Sequence, residues 1–264
     1  MSPSTSAQIS GDEGFAIDIL DGEARISLDR PNRRNAISEH DLVQMRRAVK
    51  DFGSDDGVRV IVLRSAVPGV FSAGADIGTL SDTRPEEMRR QFRILVECCD
   101  EFRRIPKPIV AVVEGYCLGA GCALVAAADF VIAAEQARFG LPEIALNLAP
   151  VLAFTTLFPV VTFRQLVYWA STGRPISALE ACSAGLVTLV KPQSGIEAEV
   201  TSLLSDLKRP SSFTLGQLKR AYGTLAYRIS DEMRNELYAL MLGTATHPDT
   251  QAAVSDFLRG KKRR

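Results

Sequence analysis

The chain has 264 residues, 46% of them hydrophobic, enough for one large domain or a domain with an appendage around a substantial core. Lysine plus arginine equals aspartate plus glutamate at 31 each, so no overall field draws the protein to nucleic acid or a membrane surface. No apolar run approaches the ~20 residues that a membrane-spanning helix needs.

Residues 1–13, rich in Ser, Gly and Gln, read as a frayed arm. FAIDILD (15–21) and EARISL (23–28) alternate apolar and polar residues on either side of Gly22, the pattern of a β-hairpin. After DRPNRRNA, Ser38 with Asp41 three residues on marks a helix start, and Leu42, Met45, Val49 and Phe52 fall on one face of that helix. RVIVLRS (59–65) is a buried strand. A helix over 84–104, with Phe92, Leu95, Val96, Cys99 and Phe102 on one side, is stopped by Pro106 and Pro108 before the strand IVAVVEG (109–115). Helix 121–128 and strand FVIAA (130–134) follow. The third round holds RFG (138–140), a helix near 163–172, a helix capped by Ser177 and the strand LVTLV (186–190). From about 195 no strand pattern recurs, and periodic stretches near 196–208, 212–224, 230–242 and 248–259 read as helices. The expected organisation is therefore a mixed core over 1–195 and a helical region over 196–264, ending in a solvated basic tail, Lys261-Lys262-Arg263-Arg264.

Two stretches share one grammar. FSAGADIGTL (71–80) and GYCLGAGCALVAAADF (115–130) each pass from strand through small residues toward a helix. Backbone N–H groups at such turns lack intrahelical partners, and small side chains let a ligand atom approach them. Two facing turns can aim two N–H donors at one oxygen; equally, they can be mere tight connections. Other phosphate loops fail: Leu124 stands where the dinucleotide fingerprint needs a third glycine or alanine, and there is no Gly-Lys-Ser/Thr loop. The five cysteines, Cys98, Cys99, Cys117, Cys122 and Cys182, are odd in number and unpaired in spacing, with no secretory signal. They point to reduced thiols in the cytoplasm rather than to a metal site, since His40 and His247 are remote from them.

FSAGADI (71–77), the run AVVEGYCLGAGCALVAAADFVIAAEQARFGLPEIAL (111–146), RPNRRNAIS (30–38) and RPISALEACSAGLV (174–187) together resemble the enoyl-CoA hydratase/isomerase, or crotonase, superfamily. The resemblance implies an α/β fold, a spiral of ββα units, followed by helices that build a homotrimer or a dimer of trimers. It implies an acyl-CoA thioester as partner, no cofactor beyond the coenzyme A carried by the substrate, and an enolate held by two backbone N–H groups. Carried over residue by residue, those donors fall on Ala75 and Ala120, and the CoA contacts on Asn32, Arg33, Arg34, Ala36, Ala73, Asp76 and Ile77. Phe257 and Lys261 would reach a neighbouring subunit's CoA.

Hydratases of the family use two glutamates. In this chain the first position is Ala123 and the second is Glu143, whose apolar neighbours should raise its pKa. Asp129 matches a structural position, an ion pair or cap, and Asp76 should hold its loop. Where the family often has Pro-Gly-x-Gly-Gly, this chain has APVLAF (149–154), and Val151 and Phe154 are expected to fill an acyl pocket. One carboxylate suffices to move a double bond, so proton-shuttling isomerisation is favoured over hydration. A hydratase using one glutamate and a catalytically silent acyl-CoA-binding scaffold remain the alternatives.

Overall fold

The computed structural model describes residues 14–76, 78, 85–226 and 229–260. The arm 1–13 and the basic tail 261–264 lie outside the described residues. The chain opens with the expected hairpin, β1 (Phe15–Leu20) antiparallel to β2 (Glu23–Leu28). Asp21 and Gly22 between them both have positive φ, 51° and 77°, which matches the turn to the right-handed twist of the strands.

Helix α1 (Glu39–Ser54) begins where the sequence places it. The Ser38 hydroxyl accepts the Asp41 N–H, and the Asp41 carboxylate accepts the Ser38 N–H, a reciprocal cap. Its buried face is Leu42, Met45, Val49 and Phe52, together with Asp41. The chain then winds in turns, each contributing a long strand, a short strand and a helix. β3 (Val60–Ser65) leads to β4 (Val70–Ser72) and α2 (Pro85–Arg104). β5 (Ile109–Val113) leads to β6 (Tyr116–Leu118) and α3 (Ala120–Ala127). β7 (Phe130–Ala134) leads to β8 (Arg138–Gly140), a five-residue 3-10 helix (Pro142–Leu146), α4 (Val151–Leu157) and α5 (Phe163–Thr172). After β9 (Ile176–Ser177), α6 (Ala178–Ser183) and β10 (Leu189–Lys191) come four helices: α7 (Ile196–Lys208), α8 (Ser212–Ala226), α9 (Asp231–Thr246) and α10 (Pro248–Leu258).

The long strands form a sheet in the order β1-β2-β3-β5-β7-β10, parallel from β2 onward. The short ones form a second sheet, β4-β6-β8-β9. Every residue of α3 is buried, which is why its sequence is apolar all round. Although the strand pattern ends near 195, packing does not. Ile196, Val200, Leu204 and Leu207 of α7 cluster with Val60, Val62, Val110, Val112 and Ile132 of the long sheet. Met241 and Ala245 of α9 cluster with Phe92 and Val96 of α2 and Leu152 of α4.

One reading of the sequence needs correction. LVTLV does not form a strand along its length: Leu186 and Val187 donate to Ala181 O at the end of α6, and pairing with β7 begins at Leu189. Right after β4, Ala75 forms a parallel bridge with Ile37. Helix α4 and the short strands of the second sheet carry too few residues to show a period.

Candidate active site

Asn35 holds the two loops from which the site is built. Its side chain is buried and accepts the Arg30 N–H at 2.7 Å while donating to Ser65 Oγ at 2.8 Å and Phe71 O at 3.0 Å. Its φ of 52° is one that asparagine tolerates better than most residues. The loop before α1 is thereby stitched to the loop after β4: Ala73 N–H to Arg34 O, Ile37 N–H to Gly74 O, Asp76 N–H to Ile37 O.

These bonds aim the Ala75 N–H. In a parallel bridge the residues on either side of Ala75 make the hydrogen bonds to Ile37, so the N–H of Ala75 itself faces the other way. On that side lies the second turn. A Cβ on Gly74, whose φ is 101°, would sit 3.2 Å from Leu118 O and 3.7 Å from Ala120 N, so glycine lets the two turns touch. Ala120 is the first residue of α3 and its N–H has no partner within its own helix. Among the described residues, neither the Ala75 nor the Ala120 N–H has a protein acceptor.

Glu143 approaches the same point from the 3-10 helix that follows β8. A Cβ on Gly119 would come within 2.7 Å of Glu143 Oε1, so the carboxylate occupies the space that a side chain at 119 would take. The residue as a whole is only partly buried, but its Oε2 is closed off from solvent and has no hydrogen-bond partner. Burial pushes this carboxyl from the usual 4.5 up to about 7, and its own backbone N–H pulls it partway back.

A cavity of about 520 Å³ joins these groups. Of the residues singled out from sequence, Arg33, Arg34, Ala36, Ala73, Ala75, Asp76, Ala120 and Glu143 line it, as does Ala123. Asn32 does not, and Ile77 lies outside the described residues. Val151 and Phe154 do not line it either. Helix α4 turns Leu152 and Ala153 to the cavity, while Val151 and Phe154 pack against the core clusters on its other sides. Phe257, an exposed side chain, lines the cavity of its own chain; Lys261 lies outside the described residues. The lining holds three carboxylates. Glu39 pairs with Arg90 at 2.9 Å, and Asp76 accepts the Gly78 N–H, the loop-holding task expected of it. Among the described residues, Glu143 alone of the three has neither a cation nor a donor from another residue.

Sequence reasoning missed Asn35, Gly119 and Met241. Asn35 stood inside a quoted motif without a role, and Gly119 was read only as part of a turn. Met241 gave no signal beyond a helical apolar stretch.

The spiral of paired short and long strands, with two turns meeting over a glutamate, defines the class to which the molecule belongs. The sequence profile of the enoyl-CoA hydratase/isomerase family matches residues 19–262, and the chain is a member of that family of enzymes, with the crotonase fold. A 2,3-dehydroadipyl-CoA hydratase of Escherichia coli K12 is 31% identical over 247 residues, 89% of this chain and 91% of the relative. A probable mitochondrial enoyl-CoA hydratase of Dictyostelium discoideum is 34% identical over 202 residues, 74% of this chain and 70% of the relative. Among solved structures, an enoyl-CoA hydratase/isomerase from Xanthobacter autotrophicus Py2 superposes with a TM-score of 0.83 at 26% identity, covering 94% of each chain.

Proposed function

We propose that the protein isomerises an enoyl-CoA thioester, with Glu143 as its single acid/base. The observation that carries this reading is a lone shielded carboxylate in an apolar cavity, next to two free N–H groups, with Ala123 in the same lining where a second acid would stand. In a 3-enoyl thioester, Glu143 takes the C2 proton and the electron pair runs onto the carbonyl oxygen. The resulting dienolate is held by the Ala75 and Ala120 N–H groups. The same proton, or one exchanged with solvent, returns from Glu143 to C4, leaving the double bond between C2 and C3 with no net gain or loss. A carboxyl titrating near neutrality suits both halves of that shuttle. At the mouth, Arg33 and Arg34 supply charge for CoA phosphates, with Asn32, Ala36, Ala73, Asp76 and Ile77 around the nucleotide. The reaction calls on no cofactor.

Hydration is the second reading, favoured by the names of the relatives. Against it, Leu148, Pro150, Leu152 and Ala153 make the wall beyond Glu143 apolar, a poor setting for an ordered water. The deciding experiment follows a 3-enoyl-CoA in D₂O. Deuterium at C2 and C4 with growth of the conjugated thioester supports isomerisation. Water addition to crotonyl-CoA at about 10 s⁻¹ or faster would replace it with hydration. CoA binding without exchange would make the protein a silent scaffold.

We further propose a homotrimer or dimer of trimers. Phe213, Leu218 and Leu225 on α8 and Met233 and Leu240 on α9 are exposed apolar side chains that a neighbouring copy would cover. A monodisperse monomer in sedimentation at micromolar concentration would contradict this. All five cysteines are free, which supports a reducing compartment such as the cytoplasm, although several relatives carry "mitochondrial" in their names. No helix among the described residues is long and apolar enough to cross a membrane.

A further inference from the structure

The cavity changes character along its length. Arg33 and Arg34, its only cations among the described residues, are exposed, whereas Phe92, Leu95, Leu148, Leu152, Ala153 and Met241 are buried and carry no hydrogen-bond donor on their side chains. Of these, Phe92, Leu148, Leu152 and Met241 are the near side of one core cluster. Its other members, among them Met88, Val96, Tyr238 and Ala245, do not line the cavity and back the wall. Three helices therefore close the inner end: α2 with Phe92 and Leu95, α4 with Leu152 and Ala153, α9 with Met241.

Those helices are tied together on the side away from the cavity. Arg103 of α2 donates to Thr156 O at 2.9 Å and Thr155 O at 3.4 Å, the carbonyls late in α4. Asp100 of α2 accepts Arg234 of α9 at 2.8 Å. None of these charged groups lines the apolar cavity; Asp100, Arg103, Thr155 and Arg234 face a separate cavity instead. The wall is held by a polar clamp, and its buried side chains present only hydrocarbon and one thioether; the half-buried Gln91 of α2 is the polar group these helices add to the lining.

We infer that Met241, reaching the cavity from α9, is the stop that sets how long an acyl chain the site accepts, and that the acyl group is an apolar chain of limited length with no charged terminus. The inference rests on the acyl-CoA reading above. Met241 is the one α9 residue among the described lining, is 5% exposed, and is unbranched, so it yields gradually rather than as a hard wall. The last helices of the chain thus determine specificity as well as covering a surface.

Binding of saturated acyl-CoAs tests this without requiring turnover. From butyryl- to dodecanoyl-CoA, wild-type affinity should rise about fourfold per methylene and then stop at a limiting length. Met241→Ala removes three heavy atoms, so the stop should move out by about two methylenes, and chains just beyond the wild-type limit should gain about tenfold relative to butyryl-CoA. Leu152→Ala opens the same wall from α4 and should move the stop in the same direction, which keeps the test informative if Met241→Ala does not fold. Adipyl-CoA should bind the wild type at least ~100-fold more weakly than hexanoyl-CoA, because the buried wall residues offer no charge to a terminal carboxylate. A profile without a limit, a limit unmoved in folded Met241→Ala (or in Leu152→Ala where the first variant does not fold), or equal binding of adipyl- and hexanoyl-CoA overturns the inference. If no acyl-CoA binds at all, the acyl-CoA reading falls with it. Unchanged turnover in Glu143→Gln removes the one-base mechanism and leaves the chain-length profile standing, so the two failures are distinct.

Discussion

Asp129 and Glu143 both shield a carboxylate, and the chain treats them in opposite ways. Asp129, between α3 and β7, has a side chain only 6% exposed and is ringed by donors. Lys219 of α8 lies 2.6 Å from its Oδ2, the Ile109 N–H donates to the same oxygen at 2.7 Å, and the Tyr222 hydroxyl donates to Oδ1 at 2.7 Å. Burial lowers the pKa of Lys219, and Asp129 works against that shift. Glu143 is given no cation, and its Oε2 is given no donor. Excluding water does not by itself decide what an acid does. Partners turn Asp129 into a fastener for α8; their absence leaves Glu143 with a proton it can exchange near neutral pH.

The comparison breaks first if the fastener is removed. Asp129→Ala leaves the Lys219 ammonium buried and uncompensated, and the denaturant midpoint should report a loss of about 3–5 kcal/mol. A loss below about 1 kcal/mol would rank the pair with ordinary surface bridges. Glu143→Gln keeps shape and removes basicity, so single-turnover rates should fall at least ~100-fold, about 2.7 kcal/mol of barrier, with affinity for the thioester nearly kept. Undiminished turnover would take Glu143 out of the chemistry.

The pH dependence sharpens the contrast. The base must be ionised, so the wild-type rate should fall about tenfold per unit below about 7 and level off above it. Stability runs the other way. The folded state releases the Glu143 proton only near 7, whereas the unfolded chain releases it near 4.5, so stability is full below 4.5 and is lost as pH rises through 7. Glu143→Gln should accordingly be more stable than wild type at pH 8, by roughly 2 kcal/mol once partial exposure is allowed for, and equal to it near pH 4. A difference that does not vary with pH would mean that the carboxyl titrates normally. The smallest effect is expected from removing both charges at the other site. Asp129→Asn with Lys219→Met keeps an acceptor for the Ile109 N–H and should cost about 1 kcal/mol, far less than Asp129→Ala alone.

Much of this was written in the sequence, because burial within one segment leaves a period in that segment. The hairpin around Gly22, the caps at Ser38 and Ser177, the start of α1 and, to within a few residues, the extents of α2, α5 and α7 through α10 follow from local pattern and capping chemistry. Glu143 and the two turns were legible as candidates from motif and resemblance, and Asp129 as an ion-paired residue. The structure alone could decide how these pieces meet. Ala75 points toward Ala120 because Asn35 and Ile37 fix the loop from another part of the chain. Leu152 and Ala153, not Val151 and Phe154, face the cavity because α4 is only seven residues long and takes its orientation from α2 and α9. Asp129 finds Lys219 ninety residues away, while Glu143 finds no such partner, and Met241 closes a cavity whose other walls come from far earlier in the chain. Periodicity records that a side chain turns inward. Which group it meets there depends on chain segments distant in sequence, and that meeting sets whether a buried acid fastens the fold or moves a proton.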